Sequence, residues 1–190
     1  MTGAGLRGRI SQAGRRVRGM MPLFPAFLLL LAGCSSLRTQ VEIEAPASAV
    51  RAVLYNFGDY PKWNPFILKV DGTVAEGSEI YVTVMPVGGP EINASAKVLS
   101  VTQDHLAWEG SGMSQVGSGP VSVDIPGILS ARHDFIIDEL GPGRTLFHNN
   151  DDFSGAAVAS YDMKPIKAGL DAMNEALKKR AEGIAGTAAK

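Results

Sequence analysis

The sequence predicts an α+β domain in which an antiparallel sheet carries one long C-terminal helix on a single face. Between residues 66 and 153 the chain holds short segments that alternate polar and apolar residues, as strands with one buried face do, and turns rich in Gly and Pro separate them. Residues 165–184 instead place apolar residues three, four and seven positions apart, which is typical of an amphipathic helix. Strands gathered in one stretch and followed by such a helix favour the α+β arrangement.

The first elements of the predicted domain are a strand and a helix. Polar and apolar residues alternate over residues 40–44, and Pro46 ends this strand. A helix is predicted over residues 48–57 because its apolar residues recur at helical spacing, with Gly58 in the position of a C-cap glycine. The two prolines of the following YPKWNPF segment limit any second helix to a turn or two.

Six more strands and the terminal helix complete the predicted elements. The strands are expected at residues 66–70, 79–85, 91–101, 105–110, 130–139 and 145–153. Residues 110–127 are rich in Gly, Ser and Pro and lack periodicity, so they are expected to form a long loop. That loop is either a lid over a binding site or a solvated connection.

The N-terminus has the features of a secretory signal. Residues 1–33 contain five arginines and no acidic residue, and residues 20–31 form the apolar run MMPLFPAFLLLL. This run is too short to cross a membrane, since a spanning helix needs roughly 20 residues. The sequence Leu-Ala-Gly precedes Cys34, and this resembles the lipobox at which bacterial signal peptides are cleaved and the cysteine is lipidated.

These features predict the domain organisation and the location. Residues 1–33 are expected to be a lipoprotein signal peptide, residues 34–38 a lipidated tether, residues 39–186 the folded domain and residues 187–190 a short tail. Cys34 is the only cysteine, so no intrachain disulfide can form. The protein is expected in the cell envelope, anchored to a membrane through Cys34. Ser35 directly after it favours the periplasmic side of the outer membrane over the inner membrane in a Gram-negative cell.

The charge and the residue spacing exclude some classes of function. Five of the 18 basic residues lie in the signal segment, which leaves 13 against 19 acidic side chains in the rest of the chain. This balance gives no support to nucleic-acid binding. The sequence has no metal-ligand spacing, and neither a metal nor another cofactor is expected.

Two segments resemble the SRPBCC superfamily, which comprises START, polyketide cyclase and Bet v 1-like domains. The first is the strand that ends in Ala45-Pro46, together with the FGDYPKWNPF segment at residues 57–66. The second matches a pattern of aromatic, Gly and Thr positions at His133, Phe135, Ile137, Gly143, Thr145, Phe147, Phe153 and Gly155. The chain departs from the pattern at Asn149, where His is frequent, and at Asp151, where Glu is frequent.

The resemblance covers about residues 40–184 and implies a helix-grip fold. In that fold a curved antiparallel sheet wraps around a long C-terminal helix, and a hydrophobic cavity lies between the two. Members of the superfamily include lipid and steroid carriers, hormone receptors and some aromatase/cyclases. The resemblance is specific for the fold and leaves the activity open, because function depends on the residues of the site.

The turn at Gly141-Pro142-Gly143 predicts which residues of the last two strands face that cavity. A three-residue loop pairs Leu140 with Arg144 and sets His133 opposite Asp151. A two-residue loop would shift the pairing by one residue and divide the phenylalanines between the two faces. The first register is preferred because it buries four apolar side chains together, those of Phe135, Ile137, Phe147 and Phe153.

The buried face then carries three polar residues, His133, Asn149 and Asp151. Buried polar groups need hydrogen-bond partners, and three roles are open. His133 and Asp151 could form a self-satisfied pair that only makes the sheet rigid. The trio could instead orient a hydroxyl or carbonyl group of a ligand, or His133 and Asp151 could act as a general acid–base pair.

The other candidate cavity residues lie on the sheet, on the segment after the first helix and on the terminal helix. The full set of expected ligand-binding residues is Trp63, Met85, Trp108, His133, Phe135, Phe147, Asn149, Asp151, Phe153, Met163, Leu170 and Met173. Ordinary core packing explains the apolar members equally well, although methionines also suit adaptable ligand walls.

The expected function is the binding or carrying of a hydrophobic small molecule by a lipid-anchored extracytoplasmic protein. A lipid, an isoprenoid or an aromatic polyketide-like compound would fit, and binding is favoured over catalysis. One alternative is a cyclase- or dehydratase-type enzyme that uses His133 and Asp151. The other is a structural or interaction lipoprotein without a ligand, which a cavity smaller than roughly 300 Å³ would favour.

Overall fold

Seven strands form one antiparallel sheet in the computed structural model, which describes residues 33–111 and 129–188. The strands are β1 (Gly33–Ile43), β2 (Ile67–Gly72), β3 (Glu79–Val84), β4 (Ile92–Val101), β5 (His105–Ser111), β6 (Ser130–Gly141) and β7 (Arg144–Gly155). Their order in the sheet is β1-β7-β6-β5-β4-β3-β2, so that β2 to β7 follow the chain and β1 pairs with β7 at the far edge. The predicted strands are confirmed, with boundaries that differ by at most two residues except at the start of β1.

Three helices accompany the sheet: α1 (Ala47–Leu54), α2 (Tyr60–Trp63) and α3 (Lys164–Ala188). The long helix α3 contacts β1, β7, α1 and α2, and the curved sheet wraps around it, as in the helix-grip fold. Four apolar residues of the predicted stripe on α3 are buried, namely Ile166, Leu170, Met173 and Leu177. Ile184 was expected to continue that stripe, but it is 42% exposed, and Ala181 is the last buried apolar residue of the helix.

The segment after α1 differs from the predicted single helix over residues 48–57. The helix ends at Leu54, and a 3-10 turn at Phe57–Asp59 leads into α2. Gly58 lies within that turn, so its expected role as a C-cap glycine is wrong. Phe57 still reaches the core, because the turn directs its ring edge-on against Trp108, with 5.8 Å between the ring centroids.

Residues 34–38 lie inside β1 and do not form the expected tether. They pair in continuous register with residues 150–154 of β7, and the pairing extends back to Gly33 and Gly155. Polar contacts hold this part of the strand, since Ser36 Oγ and Arg38 both donate hydrogen bonds to Oδ1 of Asp152. The sequence did not reveal the strand because its inward-facing residues here are too polar to give a clear alternation. At the other end of the domain α3 runs to residue 188, into the expected tail.

The register of β6 and β7 agrees with the preferred prediction. His133 lies opposite Asp151, and Phe135 lies opposite Asn149. Only the turn differs, because the chain bulges between Glu139 and Gly141 and Gly141 itself pairs with Arg144. The pairing beyond the bulge is unchanged, so the inward-facing residues are the predicted ones.

The described residues start at Gly33, the last residue of the predicted signal segment, and omit residues 112–128, so most of the predicted loop and its role as a lid lie outside them. Within the described ranges no helix has both the length and the apolar character needed to span a bilayer. Gly110 and Ser111 belong to β5, so these first two residues of the predicted loop lie in a strand instead.

Candidate functional site

A small apolar cavity lies between the inner face of the sheet and the first turns of α3. Its volume is about 70 Å³. Phe66, Trp108, Phe153 and Ile166 supply its larger apolar walls, and among the residues that the structure describes His133 and Asp151 are the titratable ones that line it. The cavity therefore combines an apolar surface with one polar group, the pair of His133 and Asp151.

The cavity exists because small residues occupy neighbouring inward-facing positions of three strands. Ala96 of β4 pairs with Gly110 of β5, and Gly110 pairs with Ala131 of β6. Ala94, two residues before Ala96, extends this floor toward the sheet edge. These residues were not predicted from the sequence, although three small residues in register across adjacent strands are the signal that could have identified the floor.

A close contact between Gly169 and Phe66 forms another wall of the cavity. Phe66 is 3% exposed, and its ring packs directly on the backbone of α3 at Gly169. A Cβ atom at position 169 would overlap with Cδ2 of Phe66 and lie 2.8 Å from Cε2. Glycine is therefore required here for close approach, and it fixes how far the Phe66 ring extends toward the cavity.

His133, Asn149 and Asp151 share the inner face of the sheet, as the predicted register requires, and Asn174 and Thr39 extend this polar network behind the cavity. His133 Nε2 lies 2.7 Å from Oδ1 of Asn149, and His133 Nδ1 lies 2.7 Å from Oδ1 of Asp151. Asn149 Nδ2 donates to Oδ1 of Asn174 at 2.9 Å. Asn174 Nδ2 donates to the Thr39 hydroxyl, which donates to the backbone carbonyl of Asn149. The network connects β6, β7, α3 and β1.

Burial shapes the electrostatics of this network. His133 is 7% exposed and Asp151 is 4% exposed. Burial lowers the pKa of His133, but the Asp151 carboxylate and the hydrogen bonds with Asp151 and Asn149 outweigh it, so that the pKa lies above its usual value. Trp108 packs over the imidazole with 5.4 Å between ring centroids and shields the pair from solvent.

The structure sorts the twelve predicted ligand-binding residues into three groups. Trp108, His133, Asp151 and Phe153 line the cavity. The second group packs in the core behind it without lining it, and comprises Phe135, Phe147, Asn149, Leu170, Met173 and the partly buried Met163. These residues do not line this cavity, because the network and the aromatic rings fill the space between β7 and α3, and their contact with a ligand stays a prediction.

Met85 and Trp63 form the third group and lie away from the cavity. Met85 is 37% exposed, because β3 ends at Val84 and Pro86 takes the inward position instead. Trp63 belongs to the single turn of α2, which directs its ring to a surface groove beside the C-terminal half of α3. Its Nε1 is buried without a hydrogen-bond partner among the described residues.

The cavity volume bears on the alternatives for the function. Pockets that enclose a drug-sized ligand usually measure roughly 300–1,000 Å³. At about 70 Å³ the cavity is well below that range, which favours a filled core over a carrier that encloses a whole ligand. It could take only a few carbon atoms of a larger molecule, whose remainder would lie along the partly exposed residues Val84, Ile92 and Ala94 at its rim.

The pair of His133 and Asp151 has no free histidine nitrogen. Both ring nitrogens already contact protein acceptors, so His133 could accept a proton from a substrate only if one of these contacts broke. This geometry supports a positioning or structural role for His133 over the acid–base role considered from the sequence.

Comparisons with known proteins agree with the fold. A family model described as "Polyketide cyclase / dehydrase and lipid transport" matches residues 35–182. No curated protein sequence matches the chain.

Solved structures give the same result. A START superfamily protein from Mycobacterium smegmatis is 20% identical, with a TM-score of 0.54 over 82% of this chain and 99% of that one. An aromatase/cyclase from a Streptomyces species is 17% identical, with a TM-score of 0.54 over 83% and 97%. A major latex-like protein from Panax ginseng is 12% identical, with a TM-score of 0.57 over 80% and 97%. At these identities the likeness establishes the fold alone.

Proposed function

The chain belongs to the polyketide cyclase/dehydrase and lipid transport family, and we propose that it binds the apolar end of a hydrophobic small molecule in the cavity beside Asp151. The observation that supports this proposal is the cavity itself, in which small residues leave space against apolar walls and a single polar position. A lipid, an isoprenoid or an aromatic polyketide-like compound would suit it. Burial of apolar surface would drive binding at roughly 25 cal/mol per Å², and a polar contact would set the orientation.

Ligand binding can be tested with a variant that fills the cavity. In Ala96→Leu, three additional carbon atoms would project into the space, since Ala96 lies on its floor. We expect wild-type protein to retain apolar compounds from a lipid extract in native mass spectrometry and to melt at a higher temperature with them. The Ala96→Leu variant should lose both responses while its ligand-free form remains folded.

Ser95→Leu is the matched control, because it introduces the same side chain one residue away on the exposed outer face of β4. It should bind like the wild type. A wild-type protein that neither retains nor responds to any apolar compound would refute the proposal and leave the structural lipoprotein as the better explanation.

We further propose that the protein is held in the cell envelope by lipid on Cys34, on the periplasmic side of the outer membrane in a Gram-negative cell. The lipobox-like sequence before Cys34 supports this, and so does the start of the family match at residue 35, directly after it. The Cys34 side chain is exposed and accessible to modification.

The anchor predicts where the protein is found after cell fractionation. Wild-type protein expressed from the full chain should enter the membrane fraction and incorporate a labelled fatty acid. Cys34→Ser should abolish the label and leave the protein unprocessed, whereas Ser36→Ala, two residues further on, should behave as wild type. An unlabelled wild-type protein would contradict the anchor without affecting the proposal on ligand binding.

A further inference from the structure

The hydrogen bonds behind the cavity have only one possible direction, and that direction fixes what the cavity offers to a ligand. The backbone carbonyl of Asn149 can only accept a hydrogen bond, so the Thr39 hydroxyl donates its single proton to that carbonyl. Thr39 must then accept from Asn174, which places the Asn174 amide nitrogen toward Thr39 and its oxygen toward Asn149. Asn149 consequently turns its own nitrogen to Asn174 and its oxygen to His133.

The orientation of Asn149 determines the state of His133. Because Asn149 Oδ1 accepts at 2.7 Å, Nε2 of His133 carries a proton. The second carbonyl near Asn149 Nδ2, that of Leu170 at 3.4 Å, is also an acceptor and supports the same orientation. The contact between His133 Nδ1 and Asp151 Oδ1 then needs one further proton, held either by the ring or by the carboxyl group.

Oδ2 of Asp151 is an acceptor in both cases. If the ring holds the shared proton, Asp151 is a carboxylate, and if Oδ1 holds it, Oδ2 is the carbonyl oxygen. Asp151 lines the cavity, and within residues 33–111 and 129–188 no hydrogen bond reaches Oδ2. The charge of the pair is zero in both cases, so a cationic ligand group would bring an uncompensated charge into an apolar space.

We infer that the ligand presents a neutral hydroxyl group to Oδ2 of Asp151, so that this cavity selects alcohols or phenols over ketones, carboxylates and amines. This inference rests on the proposed function, because it specifies which hydrophobic molecules the cavity takes. A carbonyl or carboxylate end group would bring a second hydrogen-bond acceptor against Oδ2 of Asp151. A buried acceptor without a donor costs about as much free energy as the missing hydrogen bond would have contributed.

Four eight-carbon probes separate these end groups: 1-octanol, 2-octanone, octanoate and octylamine. Each is titrated into the full chain while the indole N–H signals of the two tryptophans are followed by NMR. Trp108 lines the cavity and Trp63 lies outside it, so one signal reports on the site and the other on binding elsewhere. Comparison with Trp63→Phe assigns the two signals.

We expect 1-octanol to shift the Trp108 signal and to bind about tenfold more tightly than the other three probes, the ratio that one hydrogen bond typically gives. Binding of 2-octanone or octanoate as tight as that of 1-octanol would overturn the inference and leave the proposed function intact. A Trp108 signal that none of the four probes shifts would overturn the proposed function together with the inference.

Asp151→Asn tests the direction of the hydrogen bonds. With Nε2 protonated, neutral His133 can accept from the new amide at Nδ1, and the amide oxygen then faces the cavity. Affinity for 1-octanol should fall by at most about fivefold, the loss expected where a neutral amide oxygen replaces a charged acceptor, while 1-octanol still binds more tightly than 2-octanone. A reversed preference would mean that the amide nitrogen faces the cavity, which contradicts the inference. Asp152→Asn, the same change on the outer face of β7, is the control.

Discussion

Replacing Asn149 with leucine should lower the free energy of unfolding by about 2 to 5 kcal/mol. The variant keeps the side-chain volume, so it creates little empty space. It removes the partners of His133 Nε2 and of Asn174 Oδ1, and each buried group without a partner costs roughly 1–3 kcal/mol. Urea denaturation followed by circular dichroism measures the change as a shift of the midpoint.

Asn150→Leu is the control for this prediction. Asn150 adjoins Asn149 on β7, but its side chain points to the opposite face of the sheet. Its replacement should change stability by less than about 1 kcal/mol. Equal effects of the two substitutions would show that the buried network does not hold the sheet to α3.

The pH dependence of stability gives a second measure of the same network. The pKa of His133 is raised in the folded protein, so its stabilisation is complete below about pH 6.5, the usual pKa of histidine, and is lost as the pH rises through the raised value. Asn149→Leu removes one of the hydrogen bonds that raise this pKa. The decline of stability above about pH 6.5 should therefore be smaller in the variant and end at a lower pH than in the wild type.

Gly169→Ala should destabilise the protein by about 1–3 kcal/mol, the usual cost of overpacking a core. Alanine normally stabilises a helix by about 1 kcal/mol relative to glycine. Helix propensity alone would therefore predict that Gly169→Ala stabilises the protein, and we expect the opposite. The reason is the overlap of the new methyl group with the Phe66 ring, which is buried and has little freedom to move. Thermal unfolding would report the loss.

Gly183 provides a matched control on the same helix. A Cβ atom there would meet nothing within 4 Å, so Gly183→Ala should raise stability by up to about 1 kcal/mol. Phe66→Leu in the Gly169→Ala background should recover part of the loss, because the smaller side chain relieves the overlap. A stabilising Gly169→Ala would show that the ring can move into the cavity without cost.

The order and type of the elements followed from the sequence because their patterns are local. Alternation identified the strands after Pro65, and the shared face of the phenylalanines decided between the two registers that the turn allowed and set His133 opposite Asp151. The start of β1 was not predictable in this way. Its pairing with β7 joins residues more than a hundred positions apart, and its polar inward face carries no alternation to indicate it.

Which residues form the site depends on how the helices pack against the sheet, and residue types alone do not specify that packing. Trp63 was a plausible cavity residue from its aromatic ring, but the direction of one helical turn sends it to the outside. Asn149 was predicted to lie on the buried face beside His133 and Asp151, but its connection to Asn174 was not predicted. That connection depends on where α3 packs against β7, which no local pattern of residues specifies.

The topology also sets how close the cavity would lie to a bilayer. β1 begins at Gly33 and pairs with the end of β7, and Ser35 is the direct partner of Phe153, a wall of the cavity. Neighbouring strands are about 4.8 Å apart, so an acyl group on Cys34 would be attached next to the backbone partner of that wall, on the outer face of the sheet and with no flexible linker between. The domain would then rest on the lipid surface in a restricted orientation.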